Sequence, residues 1–171
     1  MELEARGFDS GNLDNARNWM NRPEAEEFVN HLNSILRGEI AAAETYAMAI
    51  EKMIEEGREP GHVALLRALR QEHVNAAETI RRRIAAMGGI PDENSGAWGA
   101  WAKFAMGTAQ IFGDSAVLHM LKDGEAHGLK DLEEAAKSLD AESAQMIGDE
   151  LVPAQHRHIR QLEEIIKLLS S

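Results

Sequence analysis

The sequence predicts an all-α fold, an antiparallel four-helix bundle with a long, partly helical connection between its second and third helices. Three observations carry that expectation. Apolar residues recur at spacings of three and four in four separate segments, the period of a helix with one buried face. Aromatics make up only 5% of the 171 residues while apolar residues make up 44%, a balance that favours helix over sheet. Glycine and proline gather between the segments rather than within them.

Residues 1–22 read as an N-terminal arm, polar and rich in Asn, Asp and Gly, with Trp19 as an anchor on the body or on a neighbouring subunit. The bundle domain takes up 23–171. Pro23, followed by Glu24, Glu26 and Glu27, opens the first helix, over about 24–56. Proline suits the first helical position, and acids suit the positive end of the helix dipole. The apolar stripe of this helix is Phe28, Leu32, Ile35, Leu36, Ala43, Tyr46, Ile50, Met53 and Ile54. Gly57, Pro60 and Gly61 break it. The second helix, over about 61–87, carries Leu66, Leu69, Ile80, Ile84 and Met87, and Gly88-Gly89-Ile90-Pro91 stops it.

The stretch that follows holds Gly96, Gly99, Gly107 and Gly113 beside Trp98, Trp101, Phe104, Ile111 and Phe112. It is too long for a tight turn and too apolar for a free linker. It reads as a crossover packed along the bundle, which leaves the second and third helices parallel. The third helix, over about 114–139, has Leu118, Leu121, Leu129, Leu132, Ala136 and Leu139 on one face. Asp140 caps the fourth, over about 141–169, which bends at Pro153 and carries Leu151, Leu162, Ile165 and Leu169.

Each stripe has one ionisable residue in its middle: Glu39, His73, Glu125 and His158. A charge is costly to bury without a partner, so four of them, one per helix, point to a polar site in the bundle core. The spacing supports one level for all four. Gly38-Glu39 echoes Gly124-Glu125, Glu39 precedes His73 by 34 residues, and Glu125 precedes His158 by 33. Glu44, Glu72, His127 and His156 fall on flanks or the surface, and Gln155 falls at the edge of the stripe. Two carboxylates and two neutral imidazoles suit one divalent ion, Fe(II), Mn(II) or Zn(II), with water in the open positions. The alternative is a metal-free polar layer, in which Glu39 bonds His73 and Glu125 bonds His158.

A net charge of −11 argues against nucleic acid as a partner. Arg81-Arg82-Arg83 reads as a solvated face near a helix C-terminus, where cations are favoured. Cysteine is absent, so thiolate sites and disulfides are excluded. No apolar stretch is long enough for a bilayer, and the polar, acidic N-terminus lacks the apolar core of a signal peptide. A cytoplasmic protein that meets no membrane is expected. No nucleophile triad, phosphate loop or dinucleotide fingerprint is visible. Trp98, Trp101 and Phe104 read as crossover core or as a self-association surface, and a homodimer or other self-association is expected.

The segment Leu32-Asn33-Ser34-Ile35-Leu36-Arg37-Gly38-Glu39 continuing to Tyr46 resembles the first helix of bacterioferritins and rubrerythrins, where a ligand Glu is followed seven residues later by Tyr. Arg83-Ile84 through Gly89-Ile90-Pro91, Met120 through Glu125, and Gln155-His156-Arg157-His158-Ile159 are similar to the bacterioferritin second, third and fourth helices. The whole pattern also resembles small bacterial ferritin-like families with no assigned activity. The resemblance implies a ferritin-like bundle with Glu39, Glu125 and His158 at ligand positions. It also shows departures. His73 stands where that family has Glu, Ala76 where it has His, and Gln155 where it has a bridging Glu. Both Glu-x-x-His motifs of the usual di-iron site are therefore broken. The resemblance then implies a remodelled, mononuclear site at Glu39, His73, Glu125 and His158 instead of a two-metal ferroxidase. It implies no haem, because Val74 follows His73 where that family places its haem Met. A storage cage is not expected, since the chain ends soon after the fourth helix.

Overall fold

The computed structural model describes residues 23–97, 99–100, 103, 107 and 114–169. The arm at 1–22 and the crossover residues Trp98, Trp101, Phe104, Ile111 and Phe112 lie outside these. The described residues form an all-α bundle with no strand. Helix α1 is Pro23–Glu55, α2 is Pro60–Ala86 and α3 is Asp114–Ala135. The fourth helix of the bundle is built in three pieces: α4, Ala141–Met146, then a π-helical stretch, Ile147–Leu151, then α5, Val152–Leu169.

The helix ends follow from local chemistry. Gly57 and Gly88 adopt φ of 64° and 79°, a left-handed backbone that side chains disfavour, and they close α1 and α2. The Glu59 side chain accepts the Gly61 N–H at the start of α2. As the sequence predicts, Asp140 caps the fourth helix and accepts from the N–H groups of Glu142 and Ser143.

The apolar stripes meet in two clusters. One joins Ile50 and Met53 of α1, Val63 and Leu66 of α2, Val117 and Leu118 of α3, and Leu162 and Ile165 of α5. The other joins Leu32 and Leu36 of α1, Ile80 and Ile84 of α2, Leu132 of α3, and Ile147 and Leu151 of the fourth helix. The start of α2 and the start of α3 thus share one end of the bundle, so those two helices run parallel. The bases of the stripes hold, but two outer positions do not: Ile54 is 51% exposed and Leu169 48%. Both lie near the end of a helix. Among the described residues no helix is long and apolar enough to cross a membrane.

The crossover begins by climbing α1. Asn33 donates to the Ile90 carbonyl and accepts from the Asp92 N–H, Arg37 pairs with Asp92, and Ser95 donates to Glu44 at 3.0 Å. Glu44, expected on a flank, is the upper rung of that ladder. Gly96, Ala97, Gly99, Ala100, Lys103 and Gly107 are helical, in line with a partly helical crossover.

The fourth helix carries buried residues at Ser143, Ile147, Leu151 and Gln155, each four residues after the last. On a regular helix each such step drifts by about 40°, so the last would sit about 120° from the first. The wider π turn absorbs part of that drift. Val152 donates its N–H to Ile147, five residues back, and Pro153 has no N–H to offer the Asp149 carbonyl. The irregularity expected at Pro153 is therefore an extra residue in the turn just before it, and the wider turn keeps Gln155 and His158 facing the core. Deleting Gly148 should remove the extra residue and leave a regular helix, in which Ser143 and Gln155 are eleven residues and only about 20° apart. Urea unfolding should then show a loss of less than about 1 kcal/mol, because His158, Leu162 and Ile165 keep their place in the core. A loss of more than about 3 kcal/mol in that deletion would mean that the π turn does not absorb an extra residue.

Candidate metal centre

The two apolar clusters are separated by a polar layer. Glu39 is 8% exposed, His73 2%, Glu125 3% and His158 2%, so all four residues singled out by the sequence are buried in mid-bundle. Helix periodicity puts each on the inner face of its own helix, and the two helical hairpins put them at one level.

Within the layer, each imidazole bridges two carboxylates. His73 Nδ1 lies 2.7 Å from Glu39 Oε2, and its Nε2 lies 3.0 Å from Glu125 Oε1. His158 Nδ1 lies 3.3 Å from Glu125 Oε2, and its Nε2 lies 3.1 Å from Glu72 Oε2. The result is an alternating line, Glu39–His73–Glu125–His158–Glu72, centred on Glu125. Tyr46 donates its hydroxyl to Glu125 Oε1, the same oxygen that His73 faces. Gln155 donates its amide N–H to the Glu125 backbone carbonyl at 3.0 Å. The rings also pack on one another: His73 and His158 meet edge to face with centroids 4.9 Å apart, and Tyr46 lies 5.3 Å from His73.

The charges of the layer hold one another. Burial alone would push the His73 imidazolium to lower pKa, but the Glu125 and Glu39 carboxylates outweigh it and raise the group from 6.5 to about 10. Burial would raise Glu125, but His73 and His158 outweigh it and hold the carboxyl down, from 4.5 to about 2. Burial and the neighbouring Glu125 charge push the Tyr46 hydroxyl well above its ordinary range. At the outer end, His158 and Arg157 overcome the desolvation of Glu72 and lower it.

One atom each from His73, Glu125 and His158 forms a group with all separations within 4.8 Å, a set that could hold a metal ion. Glu39 stands apart from that group, on the other nitrogen of His73. Tyr46, a stripe residue, and Gln155, at the stripe's edge, both hydrogen-bond Glu125. Glu72 was missed by the sequence reading, which set it on a flank. It lies about 100° round the helix from His73, so it faces α5 across the α2–α5 seam. The signal that would have found it is the neighbouring pair Arg157-His158, which bonds Glu72 from both sides.

A helical bundle whose core is divided by a buried layer of Glu and His is the class of protein that fold and site define. The chain matches the family described as "Domain of unknown function (DUF2383)" over residues 27–138, and it belongs to that family. The matched region contains Glu39, His73 and Glu125 and stops before His158. No curated protein and no solved structure matches the chain.

The layer sets a pH signature for metal-free protein. Glu125 has a depressed pKa, so its contribution to stability is present above about 4.5 and is lost as pH falls toward about 2. His73 has a raised pKa, so its contribution is present below about 6.5 and is lost as pH rises toward about 10. Urea unfolding of chelator-treated protein should give its highest stability between about pH 4.5 and 6.5. Above that window it should fall by up to about 1.4 kcal/mol per pH unit. A profile that rises from pH 6 to 9 would contradict this arrangement of charges.

Proposed function

We propose that this chain is a ferritin-like protein of the bacterial cytoplasm that binds one divalent metal ion in the core of its bundle, with His73 Nε2, His158 Nδ1 and Glu125 as ligands. One observation carries the reading: both rings turn one nitrogen to Glu125 and give the other to a second carboxylate. Metal-binding histidines are commonly fixed in this way, the outer N–H held by a carboxylate that sets the tautomer and the ring angle. Glu39 and Glu72 take that outer role.

The donor set fits an ion of this class. Neighbouring ligands on an ion with bonds of about 2.1 Å stand roughly 3.0–3.4 Å apart. The separations on Glu125 are 3.0 and 3.3 Å. Two imidazoles and a carboxylate suit Fe(II), Mn(II) or Zn(II), and an ion held by three protein donors keeps positions open for water or another small ligand. A second ion would need more carboxylate, and Gln155 supplies only a neutral amide. The core of the proposal is thus a remodelled, mononuclear relative of a di-iron site.

A second reading has its own support. Every ring nitrogen of His73 and His158 already has a carboxylate within 3.3 Å, so the layer is satisfied by hydrogen bonds and charge alone. On that reading the chain is a metal-free structural or interaction protein.

Metal analysis of protein purified without chelator separates the two. The metal reading expects close to one equivalent of ion, lost in the His73→Ala, His158→Ala double variant. Added ion at about a hundred times its Kd should stabilise the native state by about 2.7 kcal/mol, or roughly 5–10 °C in Tm. Glu39→Gln should weaken binding about 10–100-fold without abolishing it, while Glu125→Gln should abolish it. Metal-free protein whose Tm ignores all three ions sinks the proposal. Equal losses in Glu39→Gln and Glu125→Gln would return Glu39 to the ligands.

A further inference from the structure

A cavity of about 1520 Å³ runs between α1 and α3, and the buried layer forms part of its wall: Glu39, Tyr46, His73, Glu125 and Gln155 all line it. The rest of the described lining is mostly small or apolar, with His31 on α1 and a polar rim on α3 that includes His119 and His127. Five carboxylates line the cavity, those of Glu39, Asp123, Glu125, Asp131 and Glu134, and no Lys or Arg does among the described residues. Lys137 ties Glu134 from outside and His127 lies 3.5 Å from Asp131; Asp123 and Asp131 are the rim acids nearest the layer in sequence. The other side of the layer has the opposite character. There Glu72 meets solvent with its side chain 40% exposed, and Arg157 holds the same carboxylate oxygen that His158 uses.

Open space leads to the same point. Gly38 and Gly124 line the cavity and directly precede Glu39 and Glu125. A Cβ added at either would meet nothing within 4 Å. Neither glycine is needed for a turn or a positive φ, since each lies inside a helix, where glycine costs about 1 kcal/mol relative to alanine. A side chain at these positions would project into the space above the two carboxylates.

From this geometry we infer that the α1–α3 groove is the path by which a divalent cation reaches the buried His/Glu layer, drawn in by Asp123 and Asp131. The inference rests on the metal reading above and adds the route. With no Lys or Arg in the described lining, its carboxylates outnumber the positive charge of His73, and an excess of negative charge raises the local concentration of cations and speeds association. On the Glu72 face the Arg157 guanidinium opposes the approach of a cation. Gly38 and Gly124 border the groove beside Glu39 and Glu125, and bulk added there would project into the way without touching a donor atom.

Stopped-flow absorbance with Co(II) on the full chain tests the route. Asp123→Asn with Asp131→Asn should slow association about tenfold at low ionic strength, with the final stoichiometry unchanged. That gap should close at about 1 M salt, where exposed charges are screened within about 3 Å. Gly38→Leu should slow association at both salt concentrations. Asp149→Asn with Glu150→Gln removes the same charge from an exposed turn off the groove and should load like the parent. Parent-like rates in both groove variants overturn the route, as does equal slowing by the remote pair. A parent that takes up no Co(II) at equilibrium overturns the metal centre itself, and the route with it.

Discussion

A carboxylate buried in mid-bundle costs several kcal/mol unless charge and hydrogen bonds meet it. Glu125, 3% exposed, is met from three other helices at once. His73 of α2 and His158 of α5 take one oxygen each, and Tyr46 of α1 shares the first. Gln155 occupies the backbone carbonyl of the same residue. Each of these partners needs its helix at one height and one rotation. The layer thereby fixes the axial register of the bundle, which the two apolar clusters above and below it, built largely from interchangeable Leu and Ile, would specify less sharply.

The same constraint explains features far from the layer. The fourth helix departs from regular geometry at Ile147–Leu151, and the departure keeps Gln155 and His158 on the face that Ser143 and Ile147 begin. Gly128 of α3 carries no side chain where a Cβ would come within 2.9 Å of the Gln155 amide. The outer carboxylates, Glu39 and Glu72, complete the bonding of the two rings, so a proton or a metal ion between the rings and Glu125 finds a frame already set. On the proposed metal reading, an ion would take the place of the protons between the two rings and Glu125 and would leave the bonds of Glu39 and Glu72 in place.

Much of this was legible in the sequence. Stripes at spacings of three and four placed four helices within a few residues of their ends. One charged residue in each stripe located the layer, because a buried Glu or His stands out against an apolar face. The gaps of 34 residues from Glu39 to His73 and 33 from Glu125 to His158 pointed to one level. Three things escaped a reading of single helices. Glu72 reaches His158 only because α2 and α5 lie side by side, a fact of packing between helices distant in the chain. The π turn leaves little trace in apolar periodicity beyond a run of four-residue steps. Glu39 sits on the far nitrogen of His73, and spacing reports the level of a residue, not which ring nitrogen it faces. The resemblance to bacterioferritins and rubrerythrins pointed to Glu39, Glu125 and His158, all of which are buried in the layer, while His73, Ala76 and Gln155 depart from that pattern.

The central claim is that the two imidazoles and Glu125 converge on one ion. A crystal structure of protein prepared without chelator, with anomalous scattering recorded at the metal edges, tests it most directly. The account predicts a single anomalous peak about 2.0–2.2 Å from His73 Nε2, His158 Nδ1 and a Glu125 oxygen, with Glu39 and Glu72 still bonded to the outer ring nitrogens. Two peaks, or none with the rings hydrogen-bonded straight to Glu125 in protein soaked with Fe(II), Mn(II) and Zn(II) in turn, would contradict it.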